Sequence, residues 1–125
     1  MTDPRHALGL AAEEAVASWL GRSGWTVLAR RVRSAAGGEV DLIALDPART
    51  LVAIEVRARR SARTGAAAMT MDSSRVRRLQ STLVAFAATA AAGHRGLRVD
   101  LVTAEPDAAR SGRWLVRRIP DIGGR

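Results

Sequence analysis

The chain contains no cysteine and no lysine, and only four of its 125 residues are aromatic: Trp19, Trp25, Trp114 and Phe86. Without cysteine there is no disulfide and no thiolate metal site. The two histidines, His6 and His94, stand far apart with no ligand spacing, so both read as surface residues rather than zinc ligands. The four aromatics sit in apolar patterns and read as core. That argues against a protein that binds single strands by stacking bases and for recognition of backbone or shape. The N-terminus shows no signal-peptide pattern. The most apolar stretch, Leu83 to Ala92, is alanine-rich, interrupted by Thr89 and too short to cross a bilayer. A soluble, cytoplasmic protein with no membrane partner is expected.

What the chain has in quantity is arginine. All 20 basic residues are arginines, set against 12 acids, for a net charge of +8 and an isoelectric point near 11.7. Such a charge points to a polyanionic partner, nucleic acid first and an acidic membrane surface second. A hydrophobic fraction of 47% suffices for a core. The length fits one domain over residues 1–119, followed by a loose tail over 120–125.

Asp3 followed by Pro4 is a helix-start signal. Leu8, Ala12, Ala15, Val16, Trp19 and Leu20 then recur at helical spacing, with Gly21 or Gly24 as the stop. On a wheel turning about 100° per residue, Glu14 falls opposite the apolar stripe and Glu13 on its flank, where it can look along the edge of whatever the helix covers. Strands are expected over Trp25–Val32, Glu39–Leu45 and Leu51–Ala58. Ser34–Gly38 forms a small-residue turn, and Asp46-Pro47-Ala48-Arg49-Thr50 closes a hairpin. Ser61–Thr70 reads as a mobile loop. Asp72 or Ser73 caps a second helix running to about Ala92, with Val76, Leu79, Leu83, Phe86 and Ala90 inward and Gly93 as stop. Leu97–Thr103 and Trp114–Ile119 are the last strands, joined by a polar loop over Glu105–Gly112. The fold class is α/β, an αβββαββ sandwich with a central mixed sheet flanked by helices.

Two strands carry acids among apolar neighbours: Gly38-Glu39-Val40-Asp41-Leu42-Ile43 and Ile54-Glu55-Val56-Arg57. Carboxylates in a half-buried strand are costly unless compensated. If the hairpin closes with Leu45 opposite Leu51, then Ile43 meets Ala53, Asp41 meets Glu55 and Glu39 meets Arg57. Two facing carboxylates repel. A divalent cation, a shared proton or a neighbouring arginine relieves them, and the pattern favours the first and the third. Oxygen-only ligands with open positions suit Mg²⁺ or Mn²⁺. Asp41 and Glu55 are then the metal ligands, joined by the carbonyl of Val56, with Glu13 holding a water or a second ion. The competing reading is a pair of ordinary exposed strand acids matched to arginines on one solvated face. Arg59, Arg60 and Arg63 follow the motif strand, and Arg75, Arg77 and Arg78 open the second helix. Cations there oppose the helix dipole, so they are assigned to a phosphate backbone, helped by the amides of the helix start, with a simply solvated basic face as the competing reading.

Gly9-Leu10-Ala11-Ala12-Glu13, Leu28-Ala29-Arg30-Arg31-Val32-Arg33, the Gly38–Ile43 run and Ile54-Glu55-Val56-Arg57-Ala58-Arg59 resemble, in order and spacing, the successive blocks of the YraN-like proteins. The likeness extends through Arg75–Phe86 and Arg98–Val102. It implies a restriction-endonuclease-like fold of the PD-(D/E)xK type, similar to archaeal Holliday junction resolvases. It further implies a magnesium-dependent endonuclease acting on structured or double-stranded DNA, and a homodimer. The catalytic set it implies is Glu13, Asp41, Glu55 and, at the motif lysine position, Arg57. The family block usually has glycine where Ala12 stands and asparagine where Arg31 stands. Arg57 is the chemically important departure. Lysine can shift its pKa and help deprotonate water, whereas arginine stays charged and contributes only charge stabilisation. The sequence therefore leaves two functions open, a nuclease weakened by Arg57 and a non-catalytic nucleic-acid-binding protein on the same fold. An adaptor for an acidic protein is a weaker third.

Overall fold

The computed structural model describes residues 3–35, 37–60, 71–91 and 93–122. Among these the elements follow in the order α1 (Pro4–Arg22), β1 (Thr26–Arg33), β2 (Glu39–Leu45), β3 (Thr50–Ala58), α2 (Ser73–Thr89), β4 (Gly96–Pro106) and β5 (Trp114–Ile119). The expected αβββαββ order is the order found. The strands form one sheet, β1-β2-β3-β4-β5. All neighbours are antiparallel except β3 and β4, which run parallel on either side of the α2 crossover. The sheet is thus mixed, with α1 on one face and α2 on the other. Residues 61–70, expected as a mobile loop and including Arg63, lie outside the described residues.

Both helices start where their capping acids stand. The Asp3 carboxylate accepts the Arg5 amide at 2.9 Å with Pro4 in the first turn. Asp72 accepts the Arg75 amide at 2.9 Å and the Ser74 hydroxyl at 2.7 Å. Each such cap satisfies an amide the helix cannot. Gly24, at φ 85°, turns the chain out of α1, while Gly21 stays helical. The second helix stops at Thr89, short of Ala92. The Arg49 guanidinium holds the Gly93 carbonyl, and the Arg95 amide donates to the Arg49 carbonyl at 2.9 Å. Tying the chain to the β2–β3 turn overrides the helix propensity of the alanines.

The central strands are buried on both faces. Leu42, Ala44, Val52 and Ile54 pack with Ala12, Val16 and Leu20 of α1, while Ile43, Leu45, Leu51 and Ala53 pack with Leu79 and Leu83 of α2. This is why β2 and β3 read as near-continuous apolar runs, and why a charge within them is conspicuous. β1 is less regular. Successive strand residues face opposite sides, yet Arg30 and Arg31 both reach α1, bonding Glu14 at 2.7 Å and Glu13 at 3.2 Å. Arg31 makes this possible with φ 51°, and Val32 consequently packs on the α2 side. Asparagine enters that left-handed region more cheaply than arginine, which accounts physically for the asparagine the resemblance places there.

A second set of charges lies where the chain closes. Asp100 is fully buried. Its carboxylate accepts from Arg98 at 2.8 and 3.1 Å, from Arg118 at 2.9 Å and from the Asp121 amide at 2.9 Å. Arg98 also reaches Asp46 at 3.1 Å, and both guanidiniums lie over the Trp25 ring at 5.9 and 5.3 Å. Trp19, Trp25 and Trp114 are thus half-buried at the edge of the α1-side cluster rather than inside it. Of the stretch read as a loose tail, Asp121 is held by Asp100 and the Ile122 amide donates to the Val99 carbonyl at 3.0 Å. Residues 123–125 lie outside the described residues. Similarly, β4 extends three residues past Thr103 into the expected polar loop, because it pairs with β5 through Pro106 and Trp114. Removing one partner of a buried ionic set strands the others. Asp100→Ala should therefore cost about 3–5 kcal/mol in urea unfolding, and a loss below about 1 kcal/mol would show that the cluster is not holding β5 and the following turn.

Candidate functional site

The β2–β3 hairpin closes in the expected register, Leu45 opposite Leu51 and Ile43 opposite Ala53, but the paired rungs end at Leu42 and Ile54. Asp46 donates its amide to the Thr50 carbonyl, so hydrogen-bonded rungs fall at every second pair from there. The next one would join Val40 to Val56. Instead the Val56 amide donates to Asp41 Oδ2 at 2.8 Å. The carboxylate of Asp41 has taken the place of a backbone carbonyl, and the two strands fork. β2 continues against β1, with Val40 opposite Val32 and Glu39 opposite Arg33. β3 continues against β4, with Glu55 opposite Leu101 and Arg57 opposite Thr103. A strand residue presents its amide and carbonyl to the same edge, so the Val56 carbonyl faces the fork as well.

Glu55 is buried and Asp41 half-buried, so the reading of two exposed strand acids does not hold. The two carboxyls come close enough for Glu55 to act on Asp41. Burial and the charges of Glu55 and Glu13 push the Asp41 carboxyl up to about 7, against the opposing pull of the Val56 amide. Two of the three remedies for facing carboxylates are thereby visible. Asp41 holds its proton up to about neutral pH, and an arginine compensates the pair. That arginine is Arg75, which grips Glu55 with Nε at 2.6 Å and Nη2 at 2.9 Å.

The other candidates sort by position. Glu13 sits on the flank of α1 as the wheel implied, its side chain 16% exposed against 68% for Glu14. Its charge reaches Asp41, but its carboxylate is bonded to Arg31. Glu39, expected opposite Arg57, pairs with Arg33 at 3.0 Å. Arg57 is half-buried beside Val56, and Arg59 is half-buried with its amide on the Ala104 carbonyl. Arg60, Arg77 and Arg78 are exposed. The Arg78 side chain lies in the space a Cβ at Gly38, with φ 77°, would point into, at the entry of β2. The amide of Arg75 is already capped by Asp72, and its guanidinium is turned to Glu55 instead of outward. Arg75 was legible only as a basic residue. The signal for its partnership was its place beside inward-facing Val76, which puts it on the border of the α2 core face. A separate groove of about 690 Å³ lies between α1 and the β4–β5 turn, lined by Glu14, Trp19, Arg22, Arg113 and Trp114 among others, and does not include the acid pair.

The donor set at the fork consists of oxygens alone, from two carboxylates and a carbonyl facing the same gap. Among the described residues no group of three or more histidine or acidic side chains gathers closely enough to enclose a metal. An oxygen pair with open positions fits a Mg²⁺- or Mn²⁺-type ion, which keeps several waters, better than a fully caged one.

Residues 12–104, from α1 through β4, match the family model described as uncharacterised protein family UPF0102. The chain belongs to that family. It is 34% identical over 121 residues to a UPF0102 protein of Mycolicibacterium vanbaalenii, covering 97% of this chain and 92% of that one. It is 40% identical over 98 residues to a UPF0102 protein of Burkholderia lata, covering 78% and 68%. A Ralstonia nicotianae UPF0102 protein is 44% identical over 93 residues, covering 72% and 68%. The matched span of this UPF0102 chain includes Glu13, Asp41, Glu55 and Arg75, and ends before β5.

The Asp41 carboxyl has a stability consequence. Its native pKa near 7 lies above the ordinary value of 3.8. Between those values the native state holds a proton that the unfolded chain has released. Stability therefore falls as pH rises from about 4 to about 7, and the penalty is complete above that. Asp41→Asn still accepts the Val56 amide and has no proton to lose. It should be more stable than the parent at pH 8, by roughly 1–3 kcal/mol, with the advantage shrinking to nothing near pH 4. Parallel unfolding profiles for the two proteins across that range would contradict the raised pKa of the half-buried Asp41 carboxyl.

Proposed function

We propose that the chain is a nuclease-fold protein of the PD-(D/E)xK, YraN-like type. In this reading it binds structured or double-stranded DNA and hydrolyses phosphodiesters with a divalent cation held at Asp41 and Glu55. The observation that supports this best is the fork. Asp41 abandons a normal rung to cap the Val56 amide, where its carboxyl feels the charge of Glu55. A sheet gains nothing from assembling two acids where apolar residues would pair, so the arrangement suits a ligand that needs both. Mg²⁺ or Mn²⁺ bound there would polarise a phosphate and lower the pKa of a bound water.

The chain's own contribution is charge and position. Asp41 and Glu55 orient the ion, and Val56 adds a carbonyl on the same edge. Arg57, two residues beyond Glu55 on β3, would stabilise charge on the phosphate but cannot act as a base. Glu13 shapes the field from α1. Arg60, Arg77 and Arg78 supply exposed cations for the DNA backbone, where affinity falls steeply with salt. Arg59 and Arg63 are included in that surface on the sequence pattern alone.

A second reading keeps the fold and the DNA binding but not the cleavage. The arginine at the motif lysine position favours it. One experiment separates the two: cleavage of branched and linear DNA with Mg²⁺ or Mn²⁺ by the wild type, Asp41→Ala and Arg57→Lys. The nuclease reading expects measurable cleavage, a loss of about 100-fold or more with Asp41→Ala at unchanged DNA affinity, and an equal or faster rate with Arg57→Lys. Inert wild type and inert Arg57→Lys across all substrates leave the non-catalytic binder.

A further inference from the structure

Arg75 occupies both oxygens of Glu55, the residue assigned above to the cation. We infer that Arg75 is a counter-ion that ties divalent-cation binding at the fork to the arrival of a phosphodiester. This rests on the reading of Asp41 and Glu55 as a cation site and adds to it a regulated occupancy.

The inference starts from charge. Nε at 2.6 Å and Nη2 at 2.9 Å form a two-pronged bond to Glu55, and the Glu55 side chain is only 8% exposed. A cation on that carboxylate would lie within a few ångströms of the guanidinium, where burial leaves the repulsion poorly screened. Cation and Arg75 therefore disfavour each other at Glu55. The guanidinium has somewhere else to go. Its backbone is fixed by the Asp72 cap, but its side chain is 31% exposed at the first turn of α2. One turn further on stands exposed Arg78, beside Gly38 at the mouth of the fork. A phosphate offers the same paired oxygens as Glu55 and is the natural substitute for it on a planar fork of donors. When a phosphodiester takes Arg75, Glu55 is released to the cation. The exchange leaves every charge paired, and neither half of it does so alone. Such coupling is reciprocal, so the cation should strengthen DNA binding by the same factor.

The test is Mn²⁺ binding, followed by the loss of free-ion EPR signal and by calorimetry, with and without a short DNA duplex whose integrity is checked afterwards. Wild type, Arg75→Gln and Arg75→Lys are compared. In the wild type the duplex should tighten Mn²⁺ binding by about fivefold or more. Arg75→Gln should bind Mn²⁺ about fivefold more tightly than the wild type without DNA, and gain less than about twofold from the duplex. Arg75→Lys keeps the charge but loses the two-pronged geometry, so it should shift in the same direction by a smaller factor. It also covers the case in which an uncompensated Glu55 prevents Arg75→Gln from folding. If the wild type binds Mn²⁺ and neither variant binds it more tightly, Arg75 is a structural partner only and this inference fails while the cation site stands. If no form binds Mn²⁺ at millimolar concentration, the cation site itself fails and takes the inference with it.

Discussion

Two carboxyl groups share a half-buried gap between strands that have stopped pairing, and the rest of the site follows from how that repulsion is relieved. Asp41 and Glu55 do not meet on a regular rung as simple hairpin geometry would place them. One strand gives up a backbone bond so that a carboxylate can cap the Val56 amide. The compensation comes from Arg75 on Glu55, while the Asp41 carboxyl is pushed up to about 7. A fold with no use for the pair could replace both acids with valine and recover a continuous ladder. Uncompensated charge in such a place is costly, and the Val56 amide and Arg75 both serve to offset it here.

The Asp100 cluster shows the contrasting use of buried charge. There the carboxylate is saturated by two arginines and an amide, and Trp25 lies beneath both guanidiniums. Every prong has a fixed partner, so the cluster fastens β4, β5 and the turn after β5 to one another. At the fork the pairing is partial and one carboxyl titrates near neutrality. Full saturation there serves the scaffold.

The layout of the chain was legible because its signals were local. Asp3-Pro4 and Asp72 mark helix starts, and the apolar runs of β2 and β3 mark central strands. The hairpin register followed from the length of the Asp46–Thr50 turn. What stayed hidden was non-local. Nothing near Arg75 in sequence says that Glu55, twenty residues earlier, is its partner. Arg98 and Asp100 are two apart on one strand and so share a face, but Arg118 and Asp46 join them only through the sheet. Arg31 conceals a left-handed backbone that its own side chain disfavours. The end of α2 was misplaced because a contact from Arg49 outweighs the preference of the alanines that follow Thr89.

Membership of UPF0102 covers the span that holds the fork. The most direct test of the central claim is anomalous scattering from a crystal grown with Mn²⁺ and a short DNA duplex. The account predicts a manganese peak between Asp41 and Glu55, with oxygen distances of about 2.0–2.3 Å, and Arg75 turned from Glu55 to a phosphate. Strong manganese density elsewhere on the protein, with Glu55 still gripped by Arg75 and the fork without a peak, would contradict it.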